Sequence, residues 1–341
     1  MPRFFKESDS KNLKNFINKA YGKNHILNNK IHFDWQFNQN PYNEYEKSIL
    51  LTESKSEISC HVGLFPINLK VFDEINTATW LISGFTSESY RGKGLFSSIV
   101  KNAAEIFDFV LVLSAGPEAQ KAYKKLGWTI FPNLNRYVAI LNKKRFDTFV
   151  GKNSFEQSDF QNQINLERIK VLPSNFDTFW EETKIRFPIT TNRTKNYLNW
   201  RYIHHPLIDY HFLVLKKNDK MVGYAVIRFE TNNESIKAAR IVDLIVNKEK
   251  ELEIFQQILN YCQNKVDFVD FFCSGNFFEE VLKYLKFYNV LDSVPVVFNP
   301  LDPNRKHDLN LQFTSKLKNS ELNKCENWYI VKGDSDQDRA N

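Results

Sequence analysis

The residue types best able to do chemistry cluster in Ser83-Gly84-Phe85-Thr86-Ser87-Glu88-Ser89-Tyr90-Arg91-Gly92-Lys93-Gly94-Leu95-Phe96. The run reads as a strand end, a turn with two glycines and a helix start. At a helix start several backbone N–H groups lack an intrahelical partner, and the helix dipole favours negative charge there. Gly92 and Gly94 place no Cβ between the backbone and a ligand, and Arg91 and Lys93 add positive charge. Such a run can cradle an anion without a metal. Taken alone, Arg-Gly-Lys-Gly is weak evidence, and a plain turn before a basic helix is the favoured reading. It is neither a Walker loop nor a GxGxxG fingerprint.

A second constellation is Tyr123-Lys124-Lys125-Leu126-Gly127-Trp128. Ala119, Ala122, Tyr123 and Leu126 recur at i, i+3, i+4 and i+7, which on pattern alone makes Tyr123 a packed core residue. The elements that must position both runs follow from periodicity. Ser48–Thr52, Ile58–Val71 and Thr77–Thr86 read as strands, and Arg91–Phe107 as a helix with Leu95, Ile99, Ala103 and Ile106 on one stripe. Phe109–Leu113 is a continuous apolar run, as in a strand buried on both faces. Pro117 opens a short helix and Gly127 closes it. The first unit ends near Leu141.

The chain also echoes itself. Phe33-Asp34-Trp35-Gln36-Phe37 leading to Pro41 returns as Leu198-Asn199-Trp200-Arg201-Tyr202 leading to Pro206, at a spacing of 165. Ser114-Ala115-Gly116 through Leu126-Gly127-Trp128 returns as Cys273-Ser274-Gly275 through Leu285-Lys286-Phe287, at a spacing of 159. Two echoes in nearly one register predict a duplicated unit of about 150 residues. The second copy repeats the plan: strands Phe212–Leu215, Val222–Phe229 and Arg240–Val246, a helix Glu251–Tyr261, a strand Phe268–Phe272 and a helix Phe277–Leu285. We expect units 1–150 and 166–341, a linker at 151–165, and a loop over Asn299–Ser320. Alternating strands and separated helices indicate α/β layers.

The composition narrows the function. The 341 residues include 30 Phe and 14 Tyr, ample core material, and 42% are hydrophobic, against wholesale disorder. The net charge of +6 suits a small anionic ligand and is too weak and too evenly spread for nucleic acid. Cys60, Cys262, Cys273 and Cys325 form no CxxC pair, so neither a zinc site nor a disulfide framework is expected. His204-His205 has no third ligand nearby. The tail Gly333-Asp334-Ser335-Asp336-Gln337-Asp338 lacks the later Gly and Glu of a calcium loop. No stretch of about 18 apolar residues occurs, so a soluble, cytoplasmic chain is expected.

The first two constellations together resemble the GCN5-related N-acetyltransferase (GNAT) superfamily. Its Q/R-x-x-G-x-G/A loop is matched by Arg91 and Gly94, with Phe96 departing at the last position. Its Y-x-K-L-G-F motif is matched by Tyr123 through Trp128, and Glu118 stands where an Asn is frequent. The resemblance implies two tandem GNAT-type domains, each a mixed twisted sheet flanked by helices, with acyl-CoA as co-substrate. It implies that Phe85, Thr86, Arg91, Gly92, Lys93, Gly94, Leu95, Phe96 and Glu118 hold the cofactor, and that Tyr123 protonates the leaving thiolate. A backbone N–H near Phe85 would polarise the thioester carbonyl. Base candidates near the acyl site are His61, Ser83 and Glu88, or a water chain. The second copy has Leu282 for Tyr123, Lys286 for Gly127 and no glycine after Val246, so it is expected to be catalytically silent and to shape the acceptor site. There Arg193, Arg201 and Tyr202 are acceptor candidates, with both arginines expected to be open, and Asp334 and Asp336 of the tail fold over the cleft. Trp200 reads as core. The overall pattern looks like N-acyltransferases acting on nucleotide-linked amino sugars of dTDP type in surface-polysaccharide synthesis. Two other classes remain open: transfer of an aminoacyl group from tRNA to a cell-wall precursor, and a non-catalytic CoA- or sugar-binding module.

Overall fold

The computed structural model describes residues 1–43, 47–150, 156–158, 165–290 and 309–339. Two mixed sheets form around the two long hairpins that the alternation predicts. Strands β1 (Arg3–Phe4), β2 (Ile49–Ser54), β3 (Glu57–Val71), β4 (Glu74–Thr86), β5 (Phe109–Leu113) and β6 (Thr129–Asn133) belong to the first sheet. Strands β7 (Asn135–Ile140), β8 (Leu166–Ile169), β10 (His211–Lys217), β11 (Lys220–Thr231), β12 (Lys237–Val246), β13 (Phe268–Cys273) and β14 (Tyr288–Asn289) form the second. Three strands return to the first sheet: β9 (Ile189–Thr191), β15 (Asn310–Ser315) and β16 (Trp328–Tyr329).

Helices flank both sheets, as the resemblance implies. The two faces of β3 read out its period of two. Cys60, Val62 and Leu64 pack with Ile99 and Val100 of α3 (Leu95–Ile106), whereas Phe65, Ile67 and Leu69 join the main core with Leu13, Phe16 and Ile17 of α1 (Ser10–Tyr21). The helix expected at Arg91 starts four residues later. Gly92 and Gly94 hold φ of +76° and +75°, a left-handed geometry that no helix contains. The second copy has its helices at Glu251–Cys262 and Glu279–Tyr284, close to expectation.

Two features run against the expected division of the chain. Strand β7, from the first unit, pairs with β13 of the second, and β15, from the second, inserts between β5 and β6 of the first. The units thus exchange one strand each. The loop expected over Asn299–Ser320 is corrected in its described part. There Leu311 and Phe313 are buried on either side of Gln312, a strand alternation short enough to be overlooked. Of the expected linker, 151–155 and 159–164 lie outside the described residues.

The first echo has a direct structural counterpart. Each copy folds as one α-helical turn, α2 (Lys30–Phe33) and its counterpart Lys195–Leu198, followed by a π-helical turn, Asp34–Asn38 and Asn199–Ile203. The two tryptophans stack at 5.1 Å and 16°, and each indole donates to the other's backbone carbonyl. Trp35 Nε1 reaches Trp200 O at 3.1 Å, and Trp200 Nε1 reaches Trp35 O at 3.0 Å. The second echo also holds: Gly127 and Lys286 both end their helices with positive φ, +76° and +57°. No helix among the described residues is long and apolar enough to cross a membrane.

Three histidines sit buried around this framework. Burial lowers the imidazole pKa of His32 and His61 to about 4, and that of His205 to about 2. Their unfolded value is about 6.5, so the unfolded chain takes up these protons first. Their contribution to stability is complete above that pH and is lost as pH falls below it, by about 2 kcal/mol each at pH 5. Urea unfolding at pH 7 and pH 5 is therefore expected to show a clearly lower midpoint at pH 5; equal midpoints would contradict the buried neutral imidazoles.

Candidate functional site

The site begins where two strands part. Strands β4 and β5 run parallel and pair only at Ala78–Phe109, Thr79–Val110 and Trp80–Leu111. Beyond that β4 continues to Thr86 and β5 to Leu113 without pairing, which opens a gap through the sheet. Both edges carry a residue with positive φ, Ser83 at +48° and Ser114 at +64°. A non-glycine residue in that region costs roughly 1–3 kcal/mol and persists only where its surroundings impose it. At Ser83 the β3–β4 register shifts, and its carbonyl accepts a 2.6 Å hydrogen bond from Tyr21 at the end of α1.

On the α3 face, the gap meets the expected cradle. Gly94 is the N-cap of α3 and no side chain caps the helix, so the amides of its first turn remain available. A Cβ added at Gly92 or Gly94 would meet no atom within 4 Å, so the glycines serve the left-handed turn and the open space beside it, not tight packing. A cleft of ≈ 680 Å³ spreads from Gly84 and Phe85 over the α3 start to α4 (Pro117–Lys125), with Arg91, Lys121 and Lys125 on its walls. Of the nine expected cofactor residues, Phe85, Thr86, Arg91, Gly92, Gly94, Leu95, Phe96 and Glu118 line it. Lys93 instead lies over the Tyr90 ring at 4.9 Å. Glu118 pairs with Lys121 at 2.7 Å, which offsets part of the positive rim.

Tyr123 lies just behind this cleft. Its ring stacks on Trp128 at 4.4 Å and meets the edge of Phe96 at 5.7 Å, and it belongs to the small core under α3. Burial raises its phenol above the ordinary value, so the hydroxyl keeps its proton at any working pH. His61 is on the opposite face, against Phe16 at 5.2 Å, and is 2% exposed with Nδ1 unpartnered. Beside it, Tyr21 stacks on His25 at 4.5 Å and meets Phe85 edge-on. Nothing in the sequence around Tyr21 or His25 singles them out. Glu88 is solvated, 3.7 Å from Arg91 on the cradle face.

The second sheet has a matching gap, and the chain itself fills it. Strands β12 and β13 pair from Ala238–Phe268 to Ile241–Phe271 and then separate. Between their ends runs the strap Trp328–Arg339. Val331 bridges Cys273, Ser274 exchanges hydrogen bonds with Ile330, and the Tyr329 hydroxyl donates to the Leu244 carbonyl. Gly333 is required here, because a Cβ would lie 2.0 Å from the Tyr202 hydroxyl and 2.8 Å from the Val242 carbonyl.

The strap accounts for most of the expected acceptor residues. The expectation that Arg193 and Arg201 are open is corrected: both are fully buried. Arg193 bridges Asp243 at 2.9 Å and Asp334 at 3.0 Å, since a buried guanidinium must be partnered. Arg201 donates to the carbonyls of Gly333, Ser335 and Asp338 at 2.9, 3.2 and 3.0 Å. Tyr202 packs under Gly333, and Asp334 also accepts from the Val331 amide. Asp336 differs: its side chain retains 15% exposure and lies 3.5 Å from Arg339. The strap then reaches the first gap, where the Gln337 side-chain amide donates to the Leu113 carbonyl at 3.2 Å.

This architecture recurs in solved structures. Over 92% of its length the chain superposes on a GCN5-related N-acetyltransferase from Anabaena variabilis ATCC 29413, at 11% identity and TM-score 0.61, covering 72% of that chain. It superposes equally far on one from Kribbella flavida, at 9% identity and TM-score 0.58, covering 71% of that chain. The same holds for Saccharomyces cerevisiae N-myristoyltransferase solved with bound myristoyl-CoA, at 12% identity and TM-score 0.55, covering 81% of that chain. No protein-family model and no curated protein matches the sequence. The likeness establishes the fold, which is of GNAT type in tandem.

The cradle makes a direct prediction. Gly94→Val forces a branched side chain into φ of +75° and aims it at the open side of the loop. The side chain then occupies the space beside the free amides, and affinity for coenzyme A, the cofactor expected from the sequence, should fall at least about 10-fold by calorimetry, about 1.4 kcal/mol. Wild-type affinity would remove the loop from cofactor binding.

Proposed function

We propose that the chain is an acyl-CoA-dependent N-acyltransferase. Its acceptor is the amino group of a nucleotide-linked amino sugar, of dTDP type, in surface-polysaccharide synthesis, and its acyl group is acetyl or a 3-hydroxybutanoyl-like chain. The observation that carries the reading is the open gap between β4 and β5 beside the uncapped start of α3. One end of that cleft offers free amides and cations to a diphosphate. The other gives an extended thioester a passage through the sheet toward the Tyr21 face. N-acetyl- and N-myristoyltransferases of the same fold support the same chemistry.

The reaction is direct transfer. The amine attacks the thioester carbonyl, an amide N–H on the β4 edge near Phe85 steadies the developing oxyanion, and sulfur leaves. Tyr123 is the acid. A thiol has pKa ~8.5, so a phenol above 10 offers sulfur a hydrogen bond, and full transfer is uphill by ~1.4 kcal/mol per unit of difference. Ser83 sets the gap edge through its strained backbone, and His61 seals the floor as a neutral ring. Arg193, Arg201, Tyr202 and Asp334 serve the acceptor side indirectly, by holding the strap that borders it. The second gap is occupied by the strap, which supports a single acyl site per chain.

Two measurements test the reading. Incubation with a panel of acyl-CoAs and dTDP-amino sugars, followed by thiol release, should yield turnover with at least one pair; no release above buffer with any pair refutes it. Tyr123→Phe should cut turnover by ~10²–10⁴-fold while coenzyme A binding persists. Undiminished turnover would remove Tyr123 from the mechanism.

A further inference from the structure

An amine arrives mostly as ammonium and must lose a proton before it can attack. The groups around the gap offer few acceptors. His61 is sealed among Phe16, Tyr21 and the strands. Glu88 and Glu118 are solvated on the cradle face and paired with Arg91 and Lys121. On the Tyr21 face the strap brings a different group. Its residue 337 bonds the β5 edge at Leu113. Its residue 336 is close enough to Tyr21 for its charge to act on that phenol, and Tyr21 in turn bonds the β4 edge at Ser83. Asp336 therefore sits on the strap beside the gap, mostly enclosed, with 15% of its side chain still exposed.

We propose that Asp336 takes the proton of the attacking amine, and that Arg201 is the positioning residue that presents it; the proposal rests on the N-acyltransferase reading. Arg201 grips three strap carbonyls, at 333, 335 and 338, so the carboxylate at 336 has little freedom to slide. The step balances. One ammonium proton passes to an Asp336 oxygen, the freed lone pair forms the C–N bond at the thioester carbon, the nitrogen of the tetrahedral adduct gives up a second proton to solvent, and the C–S electron pair leaves on sulfur as the amide forms. Sulfur takes a proton from the Tyr123 hydroxyl, which regains it from solvent, and Asp336 releases its own to solvent. The charged and titratable groups facing Asp336 are Arg339 at 3.5 Å, Arg201 and the Tyr21 phenol, with His25 near Arg339. Burial dominates over the two arginines and raises the carboxyl above its ordinary value. The base is then active when ionised, and turnover falls as pH drops through that raised pKa.

The test follows thiol release from acetyl-CoA with a dTDP-3-amino-3,6-dideoxyhexose as acceptor. Asp336→Asn should lower kcat by ~10²–10⁴-fold and flatten the acid limb of the pH profile, with the KM for acetyl-CoA unchanged. Added formate should restore part of the rate, and Asp336→Glu should retain part of it and keep the limb. Should the Asn variant not fold, the lowered kcat and retained limb of the Glu variant carry the test alone, and wild-type kcat there overturns the proposal. Arg201→Lys should lower kcat and move the limb without changing the KM for acetyl-CoA, whereas a purely structural role would lower the melting temperature and leave the limb in place. Wild-type kcat and an unchanged limb in Asp336→Asn overturn the proposal. A wild-type protein that releases no thiol with this or any amine overturns the N-acyltransferase reading, and the proposal with it.

Discussion

The reciprocal tryptophan pair is the contact on which the arrangement of the two halves depends. Trp35 and Trp200 stack, and each indole closes a hydrogen bond to the other's main chain. A buried indole N–H left unpaired would cost on the order of 1–3 kcal/mol, so each half satisfies a donor that the other cannot satisfy internally. The relation is reciprocal at residues 165 apart, so it relates the copies by an approximate two-fold axis. Strand exchange then follows the same axis, with β7 and β15 crossing in opposite directions. Neither half closes its sheet alone, and this explains why the main core runs continuously through both.

From that relation comes an asymmetry of use. Each copy builds the same parted strands, yet one gap stays open and the other is occupied by residues 328–334. In the open gap, glycines with positive φ and an uncapped helix leave amides free. In the closed gap, Ser274 and Val331 satisfy the freed backbone groups from within the chain. A sheet that parts must find partners for the groups it exposes, and duplication allows one copy to supply them internally while the other leaves them open.

How far the sequence could be read follows from how local each signal is. The strands at 58–71 and 77–86 lay in periodicity and stand where expected, and the glycines at 92 and 94 line the cleft, although the helix after them starts later than its pattern suggests. The tryptophan echo pointed to duplication, although not to the reciprocal hydrogen bonds. The strand exchange was illegible because it is a choice between equally apolar partners far apart in the chain, and β15 is a short alternation inside polar surroundings. Arg193 and Arg201 were misread as open for a similar reason. An arginine beside aromatics looks like a ligand grip until its partners, Asp243, Asp334 and three strap carbonyls, are brought in from 50 to 141 residues away. Tyr21 and His25 carried no signal at all.

The buried charges of the strap also bear on why the second copy persists. Fully desolvated pairs such as Arg193 with Asp243 and Asp334 return little net stability, and apolar side chains of equal volume would hold two segments together at least as well. What apolar contact does not supply is register. A strap that rested on hydrophobic contact alone could shift along the groove at small cost, whereas one gripped at residue 334 by Arg193 and at residues 333, 335 and 338 by Arg201 has one seating. That seating decides which side chains arrive at the open gap. The second copy thus has a geometric role: its buried arginines set which strap residues stand beside the parted strands.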